Sequence, residues 1–280
     1  MTNPPDKLNL ILLPGLLNDA RLWQPQITAL ADYANIIVGD LTRRDSIAAL
    51  ADDVLAQAPA GKFALAGLSM GGYVALEIMR KAPERVLALA LLDTSARADT
   101  NEARDARERL IKLSDKNWPA VTETLLPKVL HPAHLDNRAI VATIKAMSND
   151  LGREVFVRQQ HAIMGRIDSR PFLHRITCPT LVLCGREDRI TPLETHEELV
   201  VAIRGAAVEI VDDCGHLSTL EQPLQVIAAL ESWLEQLIRD RAGAAESQAL
   251  EAASHALHIP LSPRADSAGA TDAIGASVAA

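Results

Sequence analysis

Apolar residues fall along this chain in short, nearly unbroken runs that alternate with longer stretches of helical spacing. The first run, Leu8-Asn9-Leu10-Ile11-Leu12-Leu13, stops at Pro14-Gly15, and only seven residues precede it. Asn35 to Asp40, Lys62 to Ala66, Val86 to Asp93, Thr180 to Gly185 and Ala207 to Val211 repeat the pattern. Runs of this length, rich in Leu, Ile, Val and Ala and bounded by turn residues, are the signature of strands buried on both faces. Between them the spacing predicts helices around Arg21 to Leu30, from a cap at Asp45 or Ser46 to about Gln57, and from Tyr73 to a stop near Pro83. The alternation predicts an α/β protein with a doubly wound, mainly parallel sheet of about six strands.

The rhythm breaks between Ala96 and His174, where helical spacing continues and strand character disappears. Ile140, Val141, Ile144 and Met147 share one helical face, and Leu151, Val155, Phe156 and Ile163 follow a similar spacing. Residues 96–174 are therefore expected to form a helical lid inserted into a core made of residues 1–95 and 175–241. Two capping boxes, Thr191-Pro192-Leu193-Glu194 and Ser218-x-x-Glu221, mark helix starts in the second half of that core. The final helix is expected to end near Arg239. Residues 242–280 are rich in Ala and Ser, carry Pro260 and Pro263, and have little bulky apolar content. Glu246 to Leu257 has helical composition but a thin apolar face, so the segment reads as a disordered tail.

Composition narrows the function classes. A chain of 280 residues with 48% hydrophobic content has enough apolar material for an enzyme-sized core. No apolar run approaches the roughly 18 residues of a membrane span, and residues 1–7 lack a basic segment followed by an apolar one, so the expected location is cytoplasmic. A net charge of −8 without a long basic run argues against nucleic-acid and membrane partners. Cys178, Cys184 and Cys214 are odd in number and have no metal-finger spacing, which leaves them as small buried hydrophobes. No cofactor and no metal site is expected.

The chemistry is concentrated at Ala66-Gly67-Leu68-Ser69-Met70-Gly71-Gly72. A strand precedes this stretch and a helix follows it, so Ser69 sits on a strand-to-helix turn. Such a turn strains the serine backbone, requires small residues two positions to either side, and turns the hydroxyl outward. Gly67 and Gly71 occupy those positions, and the N–H of Met70 is left free to bind an oxyanion. A serine hydroxyl needs a neutral imidazole to take its proton and a carboxylate to orient that imidazole. In a doubly wound sheet these groups lie on loops at the carboxyl ends of strands. His216 follows the last strand and precedes a capped helix, whereas His131, His134, His161 and His174 fall in or beside the lid and His196 on a helix of surface pattern. Asp188 lies just past the strand ending at Gly185. Asp93 also ends a strand and is its main competitor, with Asp40 a distant third.

These residues resemble the α/β-hydrolase fold family, in which the catalytic residues come in the order Ser, Asp, His. Ser69, Asp188 and His216 fit that order, over a similarity spanning about residues 8 to 239. Within the family the chain is most similar to small cofactor-free serine esterases, lactonases and methyl-ester hydrolases. The resemblance implies an oxyanion hole formed by the N–H groups of Leu16 and Met70. It also implies a departure, since the loop that usually begins His-Gly here reads Pro14-Gly15 and must be braced by something other than the histidine. The short N-terminus leaves no room for the family's antiparallel first strands, so the sheet is expected to be wholly parallel.

The expected activity is hydrolysis of a small-molecule ester, lactone or thioester through an acyl-enzyme, by a monomer or homodimer. A cofactor-free haloperoxidase or perhydrolase and a carbon–carbon bond hydrolase use the same triad. A receptor-like hydrolase with little turnover is the reading from another class. Trp118, Leu125, Leu126, Met147, Phe156 and Met164 are candidates to line the substrate pocket, with His161 and Arg166 as candidates to bind an acidic substrate group.

Overall fold

The structure, a computed structural model, describes residues 7–257. Six strands form one sheet: β1 (Leu8–Leu13), β2 (Ala34–Val38), β3 (Phe63–Leu68), β4 (Val86–Leu92), β5 (Thr180–Gly185) and β6 (Ala207–Val211). Their order across the sheet is β2-β1-β3-β4-β5-β6, and every pairing is parallel. The expected doubly wound, wholly parallel sheet is what the chain forms. Parallel neighbours need crossovers, and in the core these are α1 (Gln24–Leu30), α2 (Ile47–Gln57), α3 (Met70–Lys81) and, further along, α7 (Leu193–Ala202).

Alternate residues of each strand feed opposite faces. Leu8, Leu10, Leu12, Ala64, Ala66, Ala88 and Ala90 pack with Leu22, Trp23 and Leu30 at α1 and with Val226, Leu230 and Leu234 of the last helix. Ile11, Leu13, Phe63, Leu65, Leu89 and Leu91 pack with Leu50 and Val54 of α2, Val74 and Ile78 of α3 and Leu199 of α7. Both faces of β1, β3, β4 and β5 are apolar because both are covered, which is why these strands read as unbroken hydrophobic runs, while the edge strands β2 and β6 are partly exposed.

Between β4 and β5 the chain runs through α4 (Asn101–Lys116), α5 (Trp118–Val129) and α6 (Arg138–Met164), and no strand interrupts them. Asn117 caps α5 and Asn137 caps α6 through their side-chain oxygens. Gly152, at φ 74°, bends α6. Val121 of α5 and Phe156 of α6 form a small separate cluster with Leu17, so this helical insertion packs on the loop after β1.

Neither predicted capping box forms. α7 starts after Pro192 with no side-chain cap, and α8 (Ser218–Glu221) starts after Leu217 in the same way. Their polar side chains are used at the site described below. The last helix, α9 (Pro223–Leu257), extends well past the expected end at Arg239. The segment beyond Arg239 is rich in alanine, the best helix former, and has no proline before Pro260. Among the described residues, 7–238 form one compact unit and 239–257 belong to a second. The remainder of the expected tail, residues 258–280, lies outside the described residues. Among the described residues, no helix is long and apolar enough to cross a membrane.

Helix α3 lies directly on the sheet: a Cβ on Gly71 would overlap the carbonyl oxygen of Leu13 and lie 2.6 Å from its carbon. Gly71→Ala is therefore expected to lower stability by roughly 1–3 kcal/mol through overpacking. Denaturant unfolding measures this, and an unchanged midpoint would show that α3 is not seated so closely.

Candidate active site

Ser69 joins β3 to α3 with φ 55° and ψ −116°, a backbone conformation that costs a non-glycine residue about 1–3 kcal/mol. The surrounding bonds impose it. Ser69 N–H donates to the carbonyl of Leu92 at 3.0 Å, and the Ser69 carbonyl accepts from Gly72 N–H at 2.9 Å and from the Thr94 hydroxyl at 2.8 Å. The elbow is thus fastened to the end of β4, and its hydroxyl faces His216, whose Nε2 lies 2.8 Å from Ser69 Oγ.

His216 and Asp188 come from loops after β6 and β5. Those loops can touch because Gly185 has no side chain: a Cβ there would overlap the Gly215 carbonyl and lie 2.8 Å from the carbonyl carbon of Cys214. His216 Nδ1 is 2.7 Å from Asp188 Oδ2. Asp188 also accepts from Ile190 N–H at 2.8 Å, Thr191 N–H at 3.0 Å and the Thr191 hydroxyl at 2.6 Å. This is where the threonine of the first capping box is used. Burial alone would raise the Asp188 pKa, but the His216 charge and these donated bonds outweigh it and hold the carboxyl below its ordinary range. An ionised Asp188 can only accept, so Nδ1 carries the proton and Nε2 presents a lone pair to Ser69. For His216, burial works against protonation, yet the adjacent Asp188 carboxylate prevails and raises its pKa above the ordinary value.

The second capping box is spent on the His216 loop. Glu221 Oε1 accepts from Gly215 N–H at 3.0 Å and Leu217 N–H at 3.2 Å, while Oε2 accepts from His131 N–H at 2.7 Å and lies 2.9 Å from His134 Nδ1. His216 N–H donates to Val129 O of α5 at 2.9 Å. His216 is therefore held between α8 and the helical insertion.

The competing groups have other partners. Asp93 accepts from Gly185 N–H at 3.0 Å and from the Ser218 N–H and hydroxyl at 3.2 and 2.5 Å, tying the acid and base loops to the end of β4. Its complete burial and the nearby Asp188 charge push its pKa up to about 8. Asp40 is occupied by Thr42 and Arg43. His196, read from sequence as a surface residue, is fully buried, and its Nε2 accepts from Thr94 N–H at 3.0 Å. Burial lowers its pKa to about 4, so it stays neutral and supports the β4 loop. His161 is exposed on α6.

The loop after β1 lies against the elbow, and a Cβ on Gly15 would come within 3.3 Å of Ser69 Cβ. Leu17 is left-handed, at φ 56°. Its N–H donates to Gln159 Oε1 at 2.9 Å, while Gln159 Nε2 donates to Leu41 O at 3.0 Å. A glutamine from α6 thus braces the loop where the Pro14-Gly15 sequence offers no histidine. The N–H groups of Leu16 and Met70 take no acceptor among the described residues. Nothing local in the sequence distinguishes Gln159, since its role depends on how α6 packs against residues far away in the chain.

A cavity of ≈ 220 Å³ opens on Ser69 and His216, with Leu16, Leu110, Leu125, Ile144 and Ile163 among its apolar walls. Leu125 was anticipated. Trp118, Met147, Phe156, His161, Met164 and Arg166 do not line it and are corrected accordingly. Trp118 and Phe156 pack on each other, with ring centroids 5.6 Å apart, in the cluster beneath Leu17. Met147 is fully buried, accepting from Asp19 N–H through its sulfur at 3.5 Å. His161 points outward, and Met164 follows it at the end of α6 without reaching the cavity. Arg166 is paired with Asp99 at 2.5 Å and stacked on Tyr73. Leu126, also a candidate, is buried in the core. Apolar spacing marks the faces that pack inward, and the cavity is walled by neighbouring positions of the same helices, such as Leu125, Ile144 and Ile163.

Comparison with known proteins gives the family. 3-Oxoadipate enol-lactonase 2 of Acinetobacter baylyi is 25% identical over 248 residues, covering 82% of this chain and 90% of the lactonase. A pimeloyl-[acyl-carrier protein] methyl ester esterase of Legionella pneumophila is 30% identical over 201 residues, 66% of this chain and 78% of the esterase. The solved structure of a thermophilic esterase from Thermogutta terrifontis superposes with a TM-score of 0.77 at 31% identity, covering 82% of this chain and 90% of that one. The sequence profile described as the alpha/beta hydrolase family matches residues 10–230. The chain belongs to the alpha/beta hydrolase family.

Proposed function

We propose that this hydrolase cleaves a carboxylic ester, lactone or thioester of a small molecule through an acyl-enzyme on Ser69. The observation that carries this reading is the unbroken line of hydrogen bonds from Ser69 Oγ through both ring nitrogens of His216 to Asp188, beside an apolar cavity. His216 Nε2 takes the hydroxyl proton as Oγ attacks the carbonyl carbon. The oxyanion that forms is met by the N–H groups of Leu16 and Met70, and the imidazolium by Asp188. Protonated His216 then passes its proton to the leaving oxygen or sulfur, and a water activated by the same nitrogen releases the acid. The helices between β4 and β5 act as a lid that walls the cavity. The named lactonase and methyl ester esterase among the relatives support ester-type chemistry.

Ser69→Ala is expected to reduce turnover of a 4-nitrophenyl ester by about 10³-fold or more while leaving the circular dichroism unchanged. Retained activity in this variant would remove the mechanism.

Asp188→Asn is expected to leave the imidazole in place but favour the wrong tautomer, with a loss on the order of 10³-fold or more in kcat. Asp93→Asn removes no bond to His216 and is expected to cost less. If steady-state kinetics gave the opposite ranking, the orienting acid would have to be moved to Asp93.

The base must be neutral to accept the serine proton, so the rate is expected to rise with pH as His216 deprotonates. Because Asp188 raises the His216 pKa, the midpoint of that limb is expected above the ordinary histidine value of about 6.5. In Asp188→Asn burial is opposed only by the lesser effects of Asp93 and Glu221, and the limb of the residual activity is expected at lower pH. A pH–rate profile with its midpoint unmoved by that substitution would contradict the assignment.

A further inference from the structure

The cavity has an electrostatic character opposite to that of the chain. Although the protein carries a net charge of −8, the charged residues lining the cavity are Arg107 of α4 and Lys128 of α5, and no Asp or Glu lines it. Arg107 belongs to a cluster with unequal charges. Asp99 is shared by two guanidinium groups, with Arg107 Nε 2.7 Å from Oδ2 and Arg166 Nη1 2.5 Å from Oδ1. One positive charge is left over. Arg166 also donates to the carbonyls of Arg97 and Ile163, lies 4.3 Å from the Tyr73 ring centroid and does not line the cavity. Arg107 does line it and its Nη2 donates to no described residue, so the excess charge is presented to the cavity by Arg107.

Gln160 points to the same place. It is fully buried, it lines the cavity, and its Oε1 accepts from Arg107 Nη1 at 3.0 Å. A guanidinium only donates, so this bond fixes the orientation of the amide. Gln160 Nε2 is then a buried donor with no partner in the structure. The hydroxyls of Thr122 and Ser148, also in the lining, are hydrogen-bonded to each other at 2.6 Å. What the cavity lacks is an acceptor carrying negative charge that can bridge a guanidinium nitrogen and an amide N–H. A carboxylate has two oxygens with that spacing and charge. The surrounding Leu110, Leu125, Ile144 and Ile163 suit an aliphatic connection between that carboxylate and the reacting carbonyl.

We propose that Arg107 and Gln160 form a carboxylate-binding subsite, and that the substrate is an aliphatic ester bearing a free carboxylate away from the bond that is cleaved. This rests on the reading of Ser69 as the nucleophile, and it gives the acidic-group recognition expected of Arg166 and His161 to a different arginine.

The test compares matched pairs of esters that differ only in that charge, with the anion placed on the acyl side or on the alcohol side. Suitable pairs are 4-nitrophenyl hydrogen adipate with 4-nitrophenyl methyl adipate, and 4-acetoxybutanoate with its methyl ester. In at least one pair kcat/KM is expected to be tenfold or more higher for the anion, mainly through KM. Arg107→Gln and Gln160→Leu are each expected to reduce that ratio by fivefold or more. Adipate is expected to compete with substrate in the wild-type enzyme at least tenfold better than dimethyl adipate, a measurement that does not depend on either variant folding. Hydrolysis of the neutral esters without preference for the anions, together with equal inhibition by adipate and its diester, overturns the subsite and leaves the hydrolase reading standing. A preference that survives in both folded variants also overturns it. If no ester is cleaved faster by the wild type than by Ser69→Ala, the hydrolase reading fails and the subsite fails with it.

Discussion

The strained backbone at Ser69 is the constraint on which the rest of the site depends. A residue at φ 55° and ψ −116° does not hold that conformation by itself. It is fixed because β3 is paired on both sides, α3 is pressed onto the sheet at Gly71, and the Ser69 carbonyl is anchored by Thr94. The buried Thr94 is in turn held by His196. The same strand end that fastens the elbow also carries Asp93, which holds Gly185 and Ser218 and so sets the two loops bearing Asp188 and His216. The sheet thus does more than support the chemistry, because the carboxyl end of β4 fixes the relative positions of all three residues.

The helical insertion completes the site as well as enclosing it. Gln159 of α6 holds Leu17, and thereby the loop that presents the Leu16 N–H, while Val129 of α5 accepts the His216 N–H. Arg107 of α4 and Lys128 of α5 give the cavity its charge, and Gln160 of α6 gives it an unpartnered amide donor. The insertion therefore touches the cavity wall, the loop after β1 and the His216 loop together.

The strands were legible in the sequence because burial on both faces leaves a local mark, an unbroken apolar run. The elbow was legible for a similar reason, since Gly67 and Gly71 are required by sterics within a few residues of Ser69. The capping boxes show where local signals mislead. Thr191, Ser218 and Glu221 have the right spacing for caps, but the buried loops of the site had unsatisfied polar groups that gained more from those side chains than the exposed helix ends did. His196 and Gln159 were missed because their partners, Thr94 and Leu17, are distant in sequence. The pocket residues were not legible because helical spacing marks the inward side of a helix without separating positions that pack on neighbouring elements, such as Met147 and Phe156, from positions that face the cavity, such as Ile144 and Ile163.

The central claim is that Ser69 forms a covalent intermediate in a site that activates it. Treating the protein with diethyl 4-nitrophenyl phosphate tests this directly, because a serine whose proton is being removed attacks the phosphorus and takes the diethyl phosphoryl group as 4-nitrophenolate leaves. Intact-mass and peptide analysis are expected to show one diethyl phosphoryl group per chain, on Ser69, with release of one equivalent of 4-nitrophenolate and parallel loss of ester hydrolysis. An enzyme that remains active and unmodified at Ser69, or one inactivated by modification at another residue, would contradict the account.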